Sequence, residues 1–241
     1  MAAKQRARRT SPLYMPSAFD LFTPSKNIVL KHLNVFGWLY VLPFIFWVHS
    51  WIDVPAGSGH WFSRASDANY SWSGFPPSYF AAFIGFSILW FAIVLAGGTI
   101  VQIMTQKAQL DASEAKKLSF DRLWATVKEM GWRMLGLYVV VGLTSLVGFV
   151  LLIIPGFFMI RRYMMAPYVM LERKCGITEA MARSATLSKL STGSIWGIMG
   201  VILLIGLVGI VPVIGSLASF ILGMLYSVAP ALRYQQLKKL V

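Results

Sequence analysis

Two apolar runs that meet at Pro155-Gly156 most constrain how this chain can fold. Leu151-Leu152-Ile153-Ile154 closes the first run, and Phe157-Phe158-Met159-Ile160 opens the second. Proline has no amide hydrogen and its ring clashes with the preceding helical turn. The pair therefore breaks a helix and permits a sharp reversal. The second run carries Arg161 and Arg162 and ends at Glu172-Arg173-Lys174. Where those two arginines lie relative to a bilayer decides the topology.

Composition says what surrounds such runs. Of 241 residues, 57% are hydrophobic and 13% are charged. A soluble domain carries about 25% charged residues, so this surface suits lipid better than water. The formal net charge is +13. A basic excess often marks a nucleic-acid binder. Here the charges flank apolar runs, which points instead to positive-inside topology and anionic lipid headgroups, with no nucleic acid. Cys175 is the single cysteine, which excludes an intrachain disulfide and a Cys-rich metal site.

Six candidate spans follow, near 33–52, 79–104, 134–154, 157–171, 193–210 and 213–232. A helix needs about 20 apolar residues to cross ~30 Å of hydrocarbon. The arm 157–171 is shorter, which implies tilt or burial against protein. Residues 1–24, with Lys4, Arg6, Arg8 and Arg9, read as a basic cytoplasmic arm, and 25–241 as a single polytopic membrane domain. The loop 53–77 holds one basic residue, Arg64, and so is placed outside. The segment 106–133 holds six basic and four acidic residues and is placed inside as a loop. The segment 161–189 holds six basic and two acidic residues. One kinked helix running through Pro155 would export all of them, whereas a hairpin keeps them inside. Both termini are then cytoplasmic.

Three amphipathic stretches precede the hairpins. Their apolar stripes are Ile28, Val29, His32, Leu33 and Phe36; then Phe120, Leu123, Trp124, Val127 and Met130; then Ile177, Ala180, Met181, Ser184, Leu187 and Leu190. Each stripe has helical spacing and a polar opposite face, the pattern of a helix lying in the interface. Ser119 suits the N-cap of the second. The expected fold is an all-α integral membrane protein with six spanning helices as three hairpins, each preceded by an interfacial helix. Pro212 and Gly215 mark a second tight reversal. Beyond it Gly215, Ser219, Gly223, Ser227 and Ala231 recur every four residues, a small face that lets helices approach closely.

Chemistry-bearing motifs are sparse. His32, His49 and His60 lack metal spacing. There is no phosphate-cradling Gly-rich loop with Lys and no Gly-x-Ser-x-Gly elbow. No catalytic residue, cofactor or metal is expected. The candidate site is Arg161 and Arg162, at membrane depth or near the outer interface. An arginine at the bilayer centre costs roughly 2.5–3.5 kcal/mol on insertion scales, so such residues snorkel, pair or face a polar cavity. One expected function is a non-enzymatic membrane protein that organises lipid, a protein partner or a second copy. The alternative is a transporter or pore, with Pro-broken hairpins and the two arginines at its site.

The segment Ile154-Pro155-Gly156, Arg161/Arg162, Ala166-Pro167, then Glu179-Ala180 and Arg183-Ser184, resembles the membrane domain of some bacterial glycerophosphodiester phosphodiesterases and its stand-alone inner-membrane relatives. Ser17 to Pro24 is similar to openings of those stand-alone proteins. The resemblance implies a multi-pass protein of the bacterial cytoplasmic membrane. It does not imply phosphodiesterase activity, which belongs to a separate soluble barrel domain.

Overall fold

The computed structural model describes residues 16–41, 43–45, 77–211 and 214–240. Residues 1–15, 42, 46–76, 212–213 and 241, and with them Pro212 and most of the loop expected over 53–77, lie outside the described residues. Every regular element described is an α-helix. In chain order they are α1 (Phe22–Lys31), α2 (Leu33–Ile45, with Leu42 not described), α3 (Pro77–Ser113), α4 (Phe120–Leu151), α5 (Ile153–Tyr163), α6 (Ala166–Arg173), α7 (Ile177–Leu190), α8 (Thr192–Val208), α9 (Ile214–Tyr226) and α10 (Ala229–Lys238).

Ile84–Ser113, Phe120–Leu151 and Ile214–Lys238 are long and apolar enough to cross a membrane. Two bent pairs, α1 with α2 at 97° and α7 with α8 at 100°, each pass the same test jointly. The chain is a helical membrane protein with three to five candidate spans, against the six expected.

The first and third amphipathic stretches do turn sharply into an apolar helix. The second does not. Phe120 to Leu151 is one continuous helix of 32 residues, because no Pro or Gly-rich pair interrupts it near Met130. Its stripe faces protein: Leu123, Val127 and Met130 are buried, while Phe120 and Trp124 stay exposed. Ser119 takes the N-cap position with extended backbone but makes no side-chain cap bond. The segment 106–113, expected as loop, is the last two turns of α3. Its residues are good helix formers, and α3 stops only where Ala115 enters the left-handed region at φ 55°. There Lys116 N–H bonds the Asp111 carbonyl at 2.9 Å and Ala115 N–H bonds that of Ala112 at 3.1 Å, a Schellman ending.

The first hairpin turns at Leu152, three residues before Pro155. Leu152 is extended, with φ −166° and ψ 148°. Pro155 then falls in the first turn of α5, where a missing amide hydrogen costs nothing. The two arms touch through glycine. A Cβ on Gly148 would lie 2.9 Å from the Gly156 Cα, and one on Gly156 would meet the ring of Phe149. At the second reversal a Cβ on Gly215 would strike the Val208 carbonyl. Ser219 Oγ donates to the Ile205 carbonyl at 2.8 Å, and Gly223 faces Ile205. The small-residue face of α9 therefore meets α8 of the same chain.

Packing is unequal along the bundle. The fully buried side chains gather around Ile103–Leu110, Leu123–Leu137, Met165–Leu171 and Tyr226–Leu237. The hairpin tips are apolar and bare: Leu151, Leu152, Ile153 and Ile154 are 68–70% exposed, and Ile214 is 78% exposed. Lipid is the environment such tips fit.

Residues 16–24 belong to the bundle and not to a free arm. Arg233 is fully buried and donates through Nη2 to the Pro16 carbonyl at 2.7 Å. Tyr226 OH donates to the Ala18 carbonyl at 2.9 Å, and Leu21 is buried beside it. These tertiary contacts override the turn-rich local sequence.

Candidate functional site

A cavity of about 390 Å³ opens between α2, α3, α6, α8, α9 and α10. Its polar wall comes chiefly from α3. Gln102, Thr105, Gln106 and Gln109 occupy one helical face, at spacings of three, four and seven. Tyr40 of α2, Tyr168 of α6 and Ser227 complete that wall, and Ile202, Ile205 and Gly223 form the apolar one.

The polar groups are already wired together. Tyr168 OH donates to Gln109 Oε1 at 2.7 Å, and Gln109 Nε2 donates to Tyr40 OH at 3.2 Å. Tyr138 OH donates to Gln106 Oε1 at 2.6 Å. Ser227 Oγ is buried beside Tyr40 without a partner of good hydrogen-bond geometry among the described residues. In a low-dielectric interior such a network holds its members rigidly. Among the described residues tyrosine is the only ionisable type that lines the cavity.

Arg161 and Arg162 are elsewhere. The Arg161 guanidinium lies 5.2 Å from the ring centre of Phe158 and 5.9 Å from that of Trp196. Its Nε is buried without a hydrogen-bond partner among the described residues. Aromatic faces give such a cation partial compensation. Arg162 is exposed and lies 5.7 Å from the ring of Tyr163. The backbone carbonyls of both are held by α7: Ser184 Oγ donates to that of Arg162 at 2.8 Å, and Ser188 Oγ to that of Arg161 at 3.1 Å. The arginines thus sit against the amphipathic helix that carries Arg183 and Lys189.

A second polar cluster ties the ends of α3, α6 and α10 together. Glu172 pairs with Lys238 and accepts from Tyr234, while Glu114 pairs with Lys116 and accepts from Gln235 Nε2 at 2.7 Å. Burial pushes the Glu114 carboxyl upward, but the Lys116 and Gln235 hydrogen bonds and the lysine charges outweigh it. Its pKa falls below the ordinary carboxylate value. Cys175 is half-buried, and burial with the nearby Glu179 pushes its thiol pKa up. No group of three His, Cys, Asp or Glu residues arranged for a metal occurs among the described residues.

No family model, curated protein or solved structure matches this chain. Its function has to be argued from the site alone. Sequence reasoning misses the cavity, whose polar face begins with Gln102 and Thr105 on α3. The available signal was the continuation of that polar face to Gln106 and Gln109, four residues and one turn further on.

Proposed function

We propose that this protein is a non-enzymatic, multi-pass membrane protein that holds lipid within its bundle and organises it at the cytoplasmic membrane. The carrying observation is the hydrogen-bonded cavity between otherwise apolar helices. Its amides, phenols and hydroxyls bind a polar group, and they offer no nucleophile–base pair. Basic residues on α7 and at the chain's inner ends support contact with anionic headgroups. Inward termini and membership of the glycerophosphodiesterase-associated membrane domains belong to the same proposal.

The contact between α5 and α7 bears on depth. From Ile153 to Arg161 is eight residues, about 12 Å of helix, less than half of ~30 Å of hydrocarbon. We place Arg161 and Arg162 at the inner headgroups beside α7, with the bare tip Leu151–Ile154 ending inside the hydrocarbon as a re-entrant hairpin. A transporter with these arginines at its site draws less support, since neither lines the cavity.

Native mass spectrometry of the full chain in lipid nanodiscs tests the function. A lipid adduct that survives detergent exchange, and that Gln109→Leu with Tyr168→Phe removes, is expected. A chain that carries no lipid, or carries it equally in that variant, would overturn the proposal.

A further inference from the structure

We infer that the cavity selects an amphiphile with an uncharged, oxygen-bearing head, of the diacylglycerol class, entering sideways from the bilayer. This rests on the lipid-holding proposal and names its ligand. Three observations converge on it.

The first is electrostatic. The polar side chains that line the cavity are the amides of Gln102, Gln106 and Gln109, the hydroxyl of Thr105 and the phenols of Tyr40 and Tyr168. They both donate and accept, as hydroxyl and ester oxygens require. Among the described residues no Lys, Arg, Asp or Glu lines the cavity. A charged head would be desolvated there without a counter-ion, which is costly. The basic surfaces that suit anionic headgroups lie elsewhere, on α7 and the chain ends.

The second is access. Gln102 and Ile202 on the cavity rim are both exposed, Ile202 by 45%, next to the bare apolar residues Leu203 and Leu204. The mouth therefore opens where α8 presents its lipid-facing side. A membrane-dissolved molecule reaches it without passing through water.

The third is a place for a tail. An apolar groove of about 230 Å³ runs between Phe19, Phe22, Leu204, Val208 and Leu222. Ile205 and Tyr226 line both the groove and the cavity, so the two adjoin across one shared wall. An acyl chain leaving the chamber at the mouth on α8 passes the exposed Leu204, which lines the groove, so a small head inside can lay its chain there. The cavity's volume falls within the range typical of ligand sites, about 300–1,000 Å³.

The test uses the purified full chain in nanodiscs with two diazirine-tagged probes, a diacylglycerol and a phosphatidylglycerol, and maps crosslinks by peptide mass spectrometry. The diacylglycerol is expected to label peptides of α3 and α9 at least about tenfold more than the phosphatidylglycerol, equivalent to ~1.4 kcal/mol of preference. Gly223→Leu, which fills the cavity from α9, is expected to reduce that labelling about tenfold. Gln102→Leu is on the exposed rim and spares the fold, so a loss of labelling in it supports the same site. Equal or stronger labelling of those peptides by the phosphatidylglycerol would overturn the uncharged head while leaving lipid holding intact. Labelling that survives both substitutions would overturn this site. No labelling of those peptides by either probe would overturn this inference and the lipid-holding proposal together.

Discussion

Ser25 Oγ donates to the Leu225 carbonyl at 2.7 Å and accepts from the Val228 amide at 3.2 Å, so α1 satisfies the broken backbone between α9 and α10. The break between α5 and α6 is treated alike. There Ser184 and Ser188 of α7 donate to the carbonyls of Arg162 and Arg161. Both breaks precede an Ala-Pro pair, Ala166-Pro167 and Ala229-Pro230, whose proline sits in the first turn of the next helix. In both places an amphipathic helix satisfies the backbone of a broken one.

Replacing Ser25 leaves two buried backbone groups without partners. Ser25→Ala is expected to destabilise the chain by ~1–3 kcal/mol. Thermal unfolding in detergent checks this, and an unchanged midpoint would show that water or lipid replaces the hydroxyl.

The first hairpin depends on Gly148 more than on Pro155. A Cβ there meets backbone, which has no rotamer to escape into. Gly148→Ala is expected to cost ~1–3 kcal/mol, as overpacking does. Gly142→Ala, where a Cβ meets nothing within 4 Å, is expected to be neutral or mildly stabilising. Equal effects of the two changes in the same unfolding assay would contradict the close crossing.

Ala115 holds a left-handed conformation that glycine adopts freely. An L-residue pays roughly 1–2 kcal/mol for it. Ala115→Gly is expected to raise the unfolding midpoint, with the gain trimmed by glycine's larger unfolded-state entropy. Limited proteolysis at the α3–α4 connection should slow in parallel.

Acid stability depends in part on Glu114. Its folded pKa lies below its ordinary value of 4.5. It therefore contributes stability that is fully present above about pH 4.5 and is lost as pH falls through the lower folded value. Glu114→Gln should flatten the unfolding-versus-pH curve in that acidic window and leave the curve's shape near neutrality unchanged. A variant that stays as acid-sensitive as the parent would contradict this role for Glu114.

The helical class, the apolar runs and the bend near Ser191 were legible because each is written within one local stretch, whereas the stripe from Ile28 to Phe36 runs straight through the bend at His32. The continuous α4 was not, because a stripe such as Leu123, Val127 and Met130 looks the same whether protein or lipid covers it. The cavity was least legible of all. Tyr40, Gln109, Tyr168 and Ser227 are far apart in the chain, and only tertiary packing brings them together. Arg161 and Arg162 stand out as charges inside an apolar run, yet no spacing announces their contact with α7.

Depth of the first hairpin is the central claim, and cysteine accessibility tests it most directly. In a Cys175→Ala background, Leu152→Cys, Arg162→Cys, Met181→Cys and Ser66→Cys would be probed singly with a membrane-impermeant maleimide, on intact cells and on inverted vesicles. A re-entrant hairpin predicts that Arg162→Cys and Met181→Cys label only in inverted vesicles, Ser66→Cys only in cells, and Leu152→Cys in neither. Labelling of Leu152→Cys or Arg162→Cys from outside would contradict it and restore a hairpin that crosses the full bilayer.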